Sequence, residues 1–338
     1  MPLTSAAAER LARESATRSF ELAADALRRD WGVSWDRRQI QRWSEKMGDA
    51  LVAQRDQEHL AFLSGHPPAA PANPPELLII GPDGGRVQFR EPNPDTGTRW
   101  RENKVLTVSS YLPGNGLDRA PERLTTTYLA TMGGVKEFSE MCLMEAWRRG
   151  LCQAKQVIAL ADCGTWIATV LDQVCPGAVR IADWAHAEEY LHDAAGAWKG
   201  KGTPEAHALA EKLKTHLWEG RVREVIGALK SGVRQKGTPR ANDAHDHPRR
   251  VLARTQSYFE NNQAFMKYPE YRAKGWPIGS GVTEAGVKQF NKRVKGSEQF
   301  WSEEGVETIL ALRASYQSQD DRWTRYWHDR HAYFKKAA

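Results

Sequence analysis

An α/β fold built on a mixed sheet follows from three observations on the 338-residue sequence. First come β-branched and apolar runs separated by Gly, Pro and Asn, from residue 76 to about 132. Short apolar runs then alternate with helical periodicity up to residue 198, the pattern of parallel strands joined by helices. Residues 199–274 carry polar helical spacing with Gly and Pro breaks and no strand signal, so an all-helical insertion interrupts the α/β unit before its last helices.

The elements follow in order. Residues 1–64 read as a helical N-terminal region. Phe20, Ala24, Leu27 and Trp31 form one apolar stripe; Ile40, Trp43, Met47 and Leu51 form another. Gly32 ends the first helix and Ser34 caps the second, which exposes Arg37, Arg38 and Arg42. Two such helices fit a DNA-binding helix-turn-helix and fit a plain helical hairpin equally. "GHPPAAPANPP", residues 65–75, is too rich in proline for helix or central strand and is an extended linker.

Residues 76–198 form the first part of the core. "ELLIIGPDGG", "RVQF", "KVLTVSS" and "RLTTTYLATM" give three antiparallel strands, and residues 134–149 a helix with Val135, Phe138, Cys142 and Ala146 inward. "QVIALA" is a buried strand, 165–174 a helix, "AVRIA" a strand and 184–198 a helix. The order β-β-β-α-β-α-β-α is that of the RNase H-like fold. After the basic helical insertion (199–274), residues 275–338 return with two helices. In the first, Val287, Phe290 and Val294 face the core; in the second, "SEEGVETILALRASYQ", Val306, Ile309, Leu310 and Leu312 pack on the sheet.

Composition narrows the function classes. With 41% hydrophobic and 27% charged residues the chain is an ordinary globular protein. It has no apolar run of about 18 residues and no basic-then-apolar leader, which predicts a cytoplasmic protein that does not enter a membrane. Cys142, Cys152, Cys163 and Cys175 form no C-x-x-C pair and read as reduced thiols, while "HDHP" (His245 to Pro248) lacks a third ligand for a metal. The formal charge is +6, and residues 199–254 alone hold 13 Lys or Arg against 6 Asp or Glu, a balance of +7. That segment suits the backbone of a nucleic acid, and suits a solubilising face as well.

Three acids stand at informative places. Asp83 closes the first strand, Asp162 follows "QVIALA", and Glu284 heads a late helix behind "GWPIGSG", with Ser280 or Thr283 as its cap. Each has a structural explanation: a turn residue in "PDGG", a helix cap in "DCG", a charge complementing a helix dipole. In an RNase H-like sheet, however, the first strand is central and a later one pairs beside it, so the two aspartates meet at strand ends and the helix brings Glu284 to them. Three converging carboxylates repel one another unless a cation sits among them, and oxygen-only ligands select Mg²⁺ or Mn²⁺. Glu284, Lys288, Asn291 and Lys295 share one helix face, and an acid at the head of a basic stripe suggests a metal beside a polyanion.

"LIIGPDGGRV", "RWRENKV", "IALADCGTWI", "RIADWAHAEEYL", "PIGSGVTEAGVK" and "LALRASYQ…RWTRYW" resemble, in order, the blocks of Kra-type insertion-sequence transposases, bacterial DDE enzymes distantly related to the Mutator-like group. The resemblance spans about residues 76–327. It implies Asp83, Asp162 and Glu284 as a catalytic triad binding Mg²⁺ or Mn²⁺, and His186, paired with Asp183 in "DWAH", near the scissile phosphate. Cys163 stands where the family generally has glycine. The expected activity is cleavage of DNA at element ends and strand transfer to target DNA by a homodimer or higher homo-oligomer associated with the nucleoid. Lys288, Lys292, Arg293 and Lys295, together with Arg249, Arg250 and Arg254 of the insertion, are the expected DNA contacts. The alternatives are a transposase-derived, domesticated DNA-binding protein without catalysis, and an RNase H-like nuclease acting on branched or hybrid substrates.

Overall fold

The computed structural model describes residues 4–116, 118–296 and 299–336. Three helices open the chain: α1 (Ser5–Thr17), α2 (Phe20–Trp31) and α3 (Arg37–Leu63). Gly32, in the left-handed region at φ 65°, ends α2 as its lack of a Cβ allows. The cap of α3 is Asp36, not Ser34: its carboxylate accepts the Gln39 N–H while the Gln39 side chain returns to the Asp36 N–H, a complete capping box. The 27-residue α3 and the separate α1 replace the expected pair of short helices, and Trp31, expected on the α2 stripe, is 58% exposed.

The sheet follows. Strands β1 (Leu77–Gln88), β2 (Trp100–Leu112) and β3 (Glu122–Thr131) form an antiparallel meander, and β4 (Gln156–Ala161) and β5 (Val179–Ala182) are added in parallel. The order is β3-β2-β1-β4-β5, with β1 central. This arrangement fits an RNase H-like sheet. Alternation along β1 assigns its faces: Leu78 and Ile80 pack with α4 (Val135–Arg148) and α5 (Thr165–Val174), whereas Leu77 and Ile79 join the core beneath α6 (Trp184–Lys199).

Helices α7 (Pro204–Trp218), α8 (Val222–Lys236), α9 (Pro248–Asn262) and α10 (Tyr268–Ala273) occupy the stretch read as an insertion. They share one apolar core with α6, β4 and β5, and the Tyr268 hydroxyl donates to Ala182 O at the end of β5. Helices α11 (Gly281–Val294), α12 (Glu303–Gln317) and α13 (Arg322–Lys336) then cover β1 to β3 and pack against α1 to α3. No described helix is long and apolar enough to cross a membrane.

Candidate active site

Strand β1 outruns its neighbour. Pairing with β4 ends at Ile80 and Ala159, while pairing with β2 continues to Gln88 and Trp100. Beyond residue 80 strand β1 has therefore lost its β4 neighbour, and Pro82, which has no N–H to give, is tolerated where β4 has stopped. Past Gly84 and Lys104, where pairing with β3 also ends, β1 and β2 continue as a two-stranded ribbon. "GPDGG" is not a strand end or a turn, as the sequence suggested, but lies in the middle of β1. Its glycines answer to another element. A Cβ on Gly81 would collide with Thr283 Oγ1, and one on Gly85 would stand 2.6 Å from Asn103 Oδ1 and 2.7 Å from Asn291 Oδ1. Both glycines thus let α11 lie directly against β1, and Asp83, on the same face between them, is presented to the first turn of that helix.

Asp162 follows the last residue of β4, its Oδ1 accepting the Gly164 N–H at 2.6 Å. Glu284 sits in the first turn of α11. The geometry that aligns them comes from a residue whose part the sequence did not reveal. Asp183, 2% exposed, caps α6 and also accepts both the N–H (2.9 Å) and the hydroxyl (2.6 Å) of Ser280. Ser280 occupies the N-cap position of α11, yet makes no side-chain cap there; its hydroxyl goes to Asp183. Thr283, the other expected cap, pairs its hydroxyl with Thr107 at 2.7 Å. The end of β5, the start of α6 and the start of α11 are fixed together by one buried carboxylate.

Asp83, Asp162, Asp183, His186, Glu189 and Glu284 line one cavity of about 180 Å³. Burial pushes the Asp83 carboxyl up to about 6, the Gly84 N–H at 2.6 Å draws it back, and the charges of Asp162 and Glu284 raise it further. His186 stands on the first turn of α6 with Nε2 3.8 Å from Asp162 Oδ2 and Nδ1 3.8 Å from Glu189 Oε2. Its ring meets Tyr190 edge-on at 5.0 Å and Tyr258 at 6.0 Å, and those two tyrosines stack at 4.2 Å. Tyr258 belongs to α9, so the helical segment reaches the carboxylate-lined cavity through an aromatic pair. Neither tyrosine carried a signal in the sequence, because the contact joins residues far apart in the chain. Burial, and next the Asp162 charge, push the Cys163 thiol up to about 12, which keeps it protonated and unsuited to nucleophilic work.

Among the described residues no three His, Cys, Asp or Glu side chains are gathered tightly enough to hold a metal ion as they stand. The donor set nevertheless suits a hard divalent cation: five carboxylates line one cavity, Asp83, Asp162 and Glu284 among them, and the Asp83 pKa is raised by burial and by its acidic neighbours. Glu284 Oε2 meanwhile accepts from Lys288 Nζ at 3.1 Å.

The expected DNA contacts divide. Lys288, Lys292 and Lys295 are exposed along α11 and just past its end. Arg293 is not: only 2% exposed, it lies over Phe20 and Trp301 and donates from Nε to Ser15 O at 2.7 Å. Beside it Arg313 donates to Ala16 O. Burial, then the neighbouring Arg313 charge, bring the Arg293 pKa down to about 9. The pair satisfies the carbonyls at the end of α1, where a helix dipole favours cations, so Arg293 is a structural residue and no phosphate contact. The insertion arginines have local partners as well. Arg249 forms a two-pronged pair with Asp243, Arg250 donates to Arg240 O and Ala241 O, and Arg254 meets His245. All three hold down the loop before α9.

No family model and no curated protein matches the chain. A solved structure that it is similar to is the Drosophila P element transposase strand transfer complex, at a TM-score of 0.40 and 8% identity, over 95% of this chain and 94% of that chain.

Proposed function

We propose that the chain is a metal-dependent DDE transposase of a bacterial insertion sequence, of the Kra type, that cleaves DNA at element ends and joins the freed 3′-hydroxyl to target DNA. The observation that carries this reading is the convergence of Asp83, Asp162 and Glu284 on one cavity from three separate stretches of sequence. Mg²⁺ or Mn²⁺ held by these carboxylates would supply an activated water or 3′-hydroxyl and offset charge on the leaving oxygen. The protein's own part is positional. Asp183 fixes the start of α11, and with it Glu284, relative to the end of β5, beside β4 and Asp162. His186, held by Tyr190 and Tyr258, offers a ring nitrogen to a phosphate oxygen, and Lys288, Lys292 and Lys295 track the backbone away from the cavity.

Glu284→Gln keeps the shape and removes the charge. Expected is a loss of Mg²⁺-dependent cleavage of at least about 10²–10³-fold, with DNA affinity nearly unchanged. Cleavage that survives the substitution would overturn the catalytic assignment. Two observations favour a second reading, a transposase-derived DNA-binding protein without catalysis: the Glu284–Lys288 pair and the absence, among the described residues, of three gathered ligands. DNA binding without cleavage by the unmutated chain would select it.

A further inference from the structure

Two tracks leave the catalytic cavity and end at the same place. Along β1 the five steps from Asp83 to Gln88 span roughly 17 Å and, being an odd number, pass from the face of Asp83 to the other face of the ribbon, where Gln88 pairs with Trp100. Along α11 the eleven steps from Glu284 to Lys295 span roughly 16 Å, and Lys295 Nζ lies 5.5 Å from the centre of the Trp100 ring. A second aromatic ring stands at this end of the ribbon. Phe89 and Trp301 form a parallel bridge there, with the Trp301 N–H donating to Gln88 O and the Arg90 N–H to Trp301 O, both at 3.0 Å. The bridge turns Trp301 inward, at 7% exposure, and its neighbour Phe300 outward, at 38%. Trp100 is 37% exposed. Each exposed ring carries a cation, Lys295 for Trp100 and Arg99, at 5.8 Å, for Phe300.

We infer that Trp100 and Phe300 form a stacking platform for unpaired bases of DNA whose 3′ end lies in the catalytic cavity. The inference rests on the reading of the chain as a DNA-acting protein and adds to it a site for bases rather than for backbone. Cations alone serve a duplex backbone; flat exposed rings beside cations serve bases that have left the helix, because every base has a face to stack. At about 3.4 Å per nucleotide or more along one strand, the span from the cavity places the platform about three to five nucleotides from the 3′ end. Lys288 and Lys292, exposed on the helix between, face the intervening phosphates.

The test needs no catalysis. Full-length protein in EDTA is titrated with a short single-stranded oligonucleotide, with the same strand made abasic at the third to fifth nucleotides from its 3′ end, and with the matching duplex. Expected is a loss of single-strand affinity of about 5- to 100-fold in Trp100→Ala, a smaller loss in Phe300→Ala and near-normal binding in Trp100→Phe. The abasic strand should bind the unmutated protein as weakly as the intact strand binds Trp100→Ala, and the duplex should be nearly indifferent to the substitution. A 2-aminopurine base at the third to fifth nucleotides should be quenched more than one placed far from the end, and Trp100→Ala should erase that difference. Equal affinity of Trp100→Ala and unmutated protein for the intact strand, or the same loss with the abasic strand, would remove the platform and leave the transposase reading untouched. An unmutated protein that binds no DNA at all would overturn both.

Discussion

Two clusters of charge are drawn into this protein, and they are built on opposite principles. Between α4 and α13, buried Glu145 and Asp320 surround Arg322, which donates to both, and Arg148 adds a second cation to Glu145. Burial works against these carboxylates, yet the arginines hold both below the usual carboxylate range. In the cavity of Asp83, Asp162 and Glu284 burial and like charges act together, and Asp83 moves the other way, up to about 6. The first cluster is complete in itself. In the second, Lys288, itself exposed, is paired with one of the acids, and on the proposed reading a bound cation supplies the rest, which would separate a structural ion network from a site that receives a ligand.

The largest expected effect comes from breaking the complete cluster. Arg322→Met leaves Glu145 and Asp320 buried without their main cation and should cost about 3–5 kcal/mol in urea denaturation. Adding Glu145→Gln should recover part of that loss, because the uncompensated charge is then gone. A single-variant cost below about 1 kcal/mol would mean that water reaches the network and that the two clusters differ less than their partners suggest.

The next test reverses the sign. A carboxyl whose folded pKa lies above its unfolded one favours the folded state when protonated, so this contribution is present below the unfolded value, about 4, and is lost as pH rises through about 6. Asp83→Asn removes the loss. In metal-free protein it should stabilise by up to about 3 kcal/mol at pH 8 and by almost nothing at pH 4. Glu145 and Asp320, with lowered values, should show the reverse, stability lost as pH falls. Added Mg²⁺ should stabilise the unmutated protein and not Asp83→Asn, measured by thermal melts across pH. A destabilised Asp83→Asn at pH 8 would mean that the carboxylate is compensated within the chain after all.

The same contrast explains what was legible in the sequence. Strand β4, helix α5 and strand β5 lie where apolar runs and turn residues indicated, because those signals are local. Asp162 at the end of β4 and Glu284 at the head of α11 were readable for the same reason. "GPDGG" misled because its glycines serve contacts with Thr283 and Asn291, some two hundred residues away, and strand glycines look like turns when the packing partner is unknown. Arg293 misled in the opposite sense: its place among cations on α11 pointed outward, whereas the carbonyl it satisfies belongs to α1. The Asp183–Ser280 pair and the Tyr190–Tyr258 stack are likewise tertiary facts, whereas Arg249, Arg250 and Arg254 turn to partners only six to ten residues away, in a loop whose shape no periodicity encodes. Hydrophobic period fixes a face; it does not say which polar residue meets which.

The smallest effect gives the sharpest comparison. Lys288 is to Glu284 what Arg322 is to Glu145, a cation paired with a carboxylate, but it is 72% exposed and sits four residues on along the same helix. Such pairs contribute only about 0.3–0.5 kcal/mol. Lys288→Met should therefore shift the melting temperature by no more than about 1–2 °C, where Arg322→Met costs several kcal/mol. It should also tighten Mg²⁺ binding, since a competing positive charge leaves Glu284, and weaken DNA binding with a shallower salt dependence, since one phosphate contact is lost. Calorimetric titration of Mg²⁺ and DNA affinity at two salt concentrations read the two effects separately. If Lys288→Met instead destabilises the protein as severely as Arg322→Met and leaves Mg²⁺ affinity unchanged, then Glu284 belongs to a closed structural pair, and the cavity is a second complete cluster rather than a site awaiting a cation.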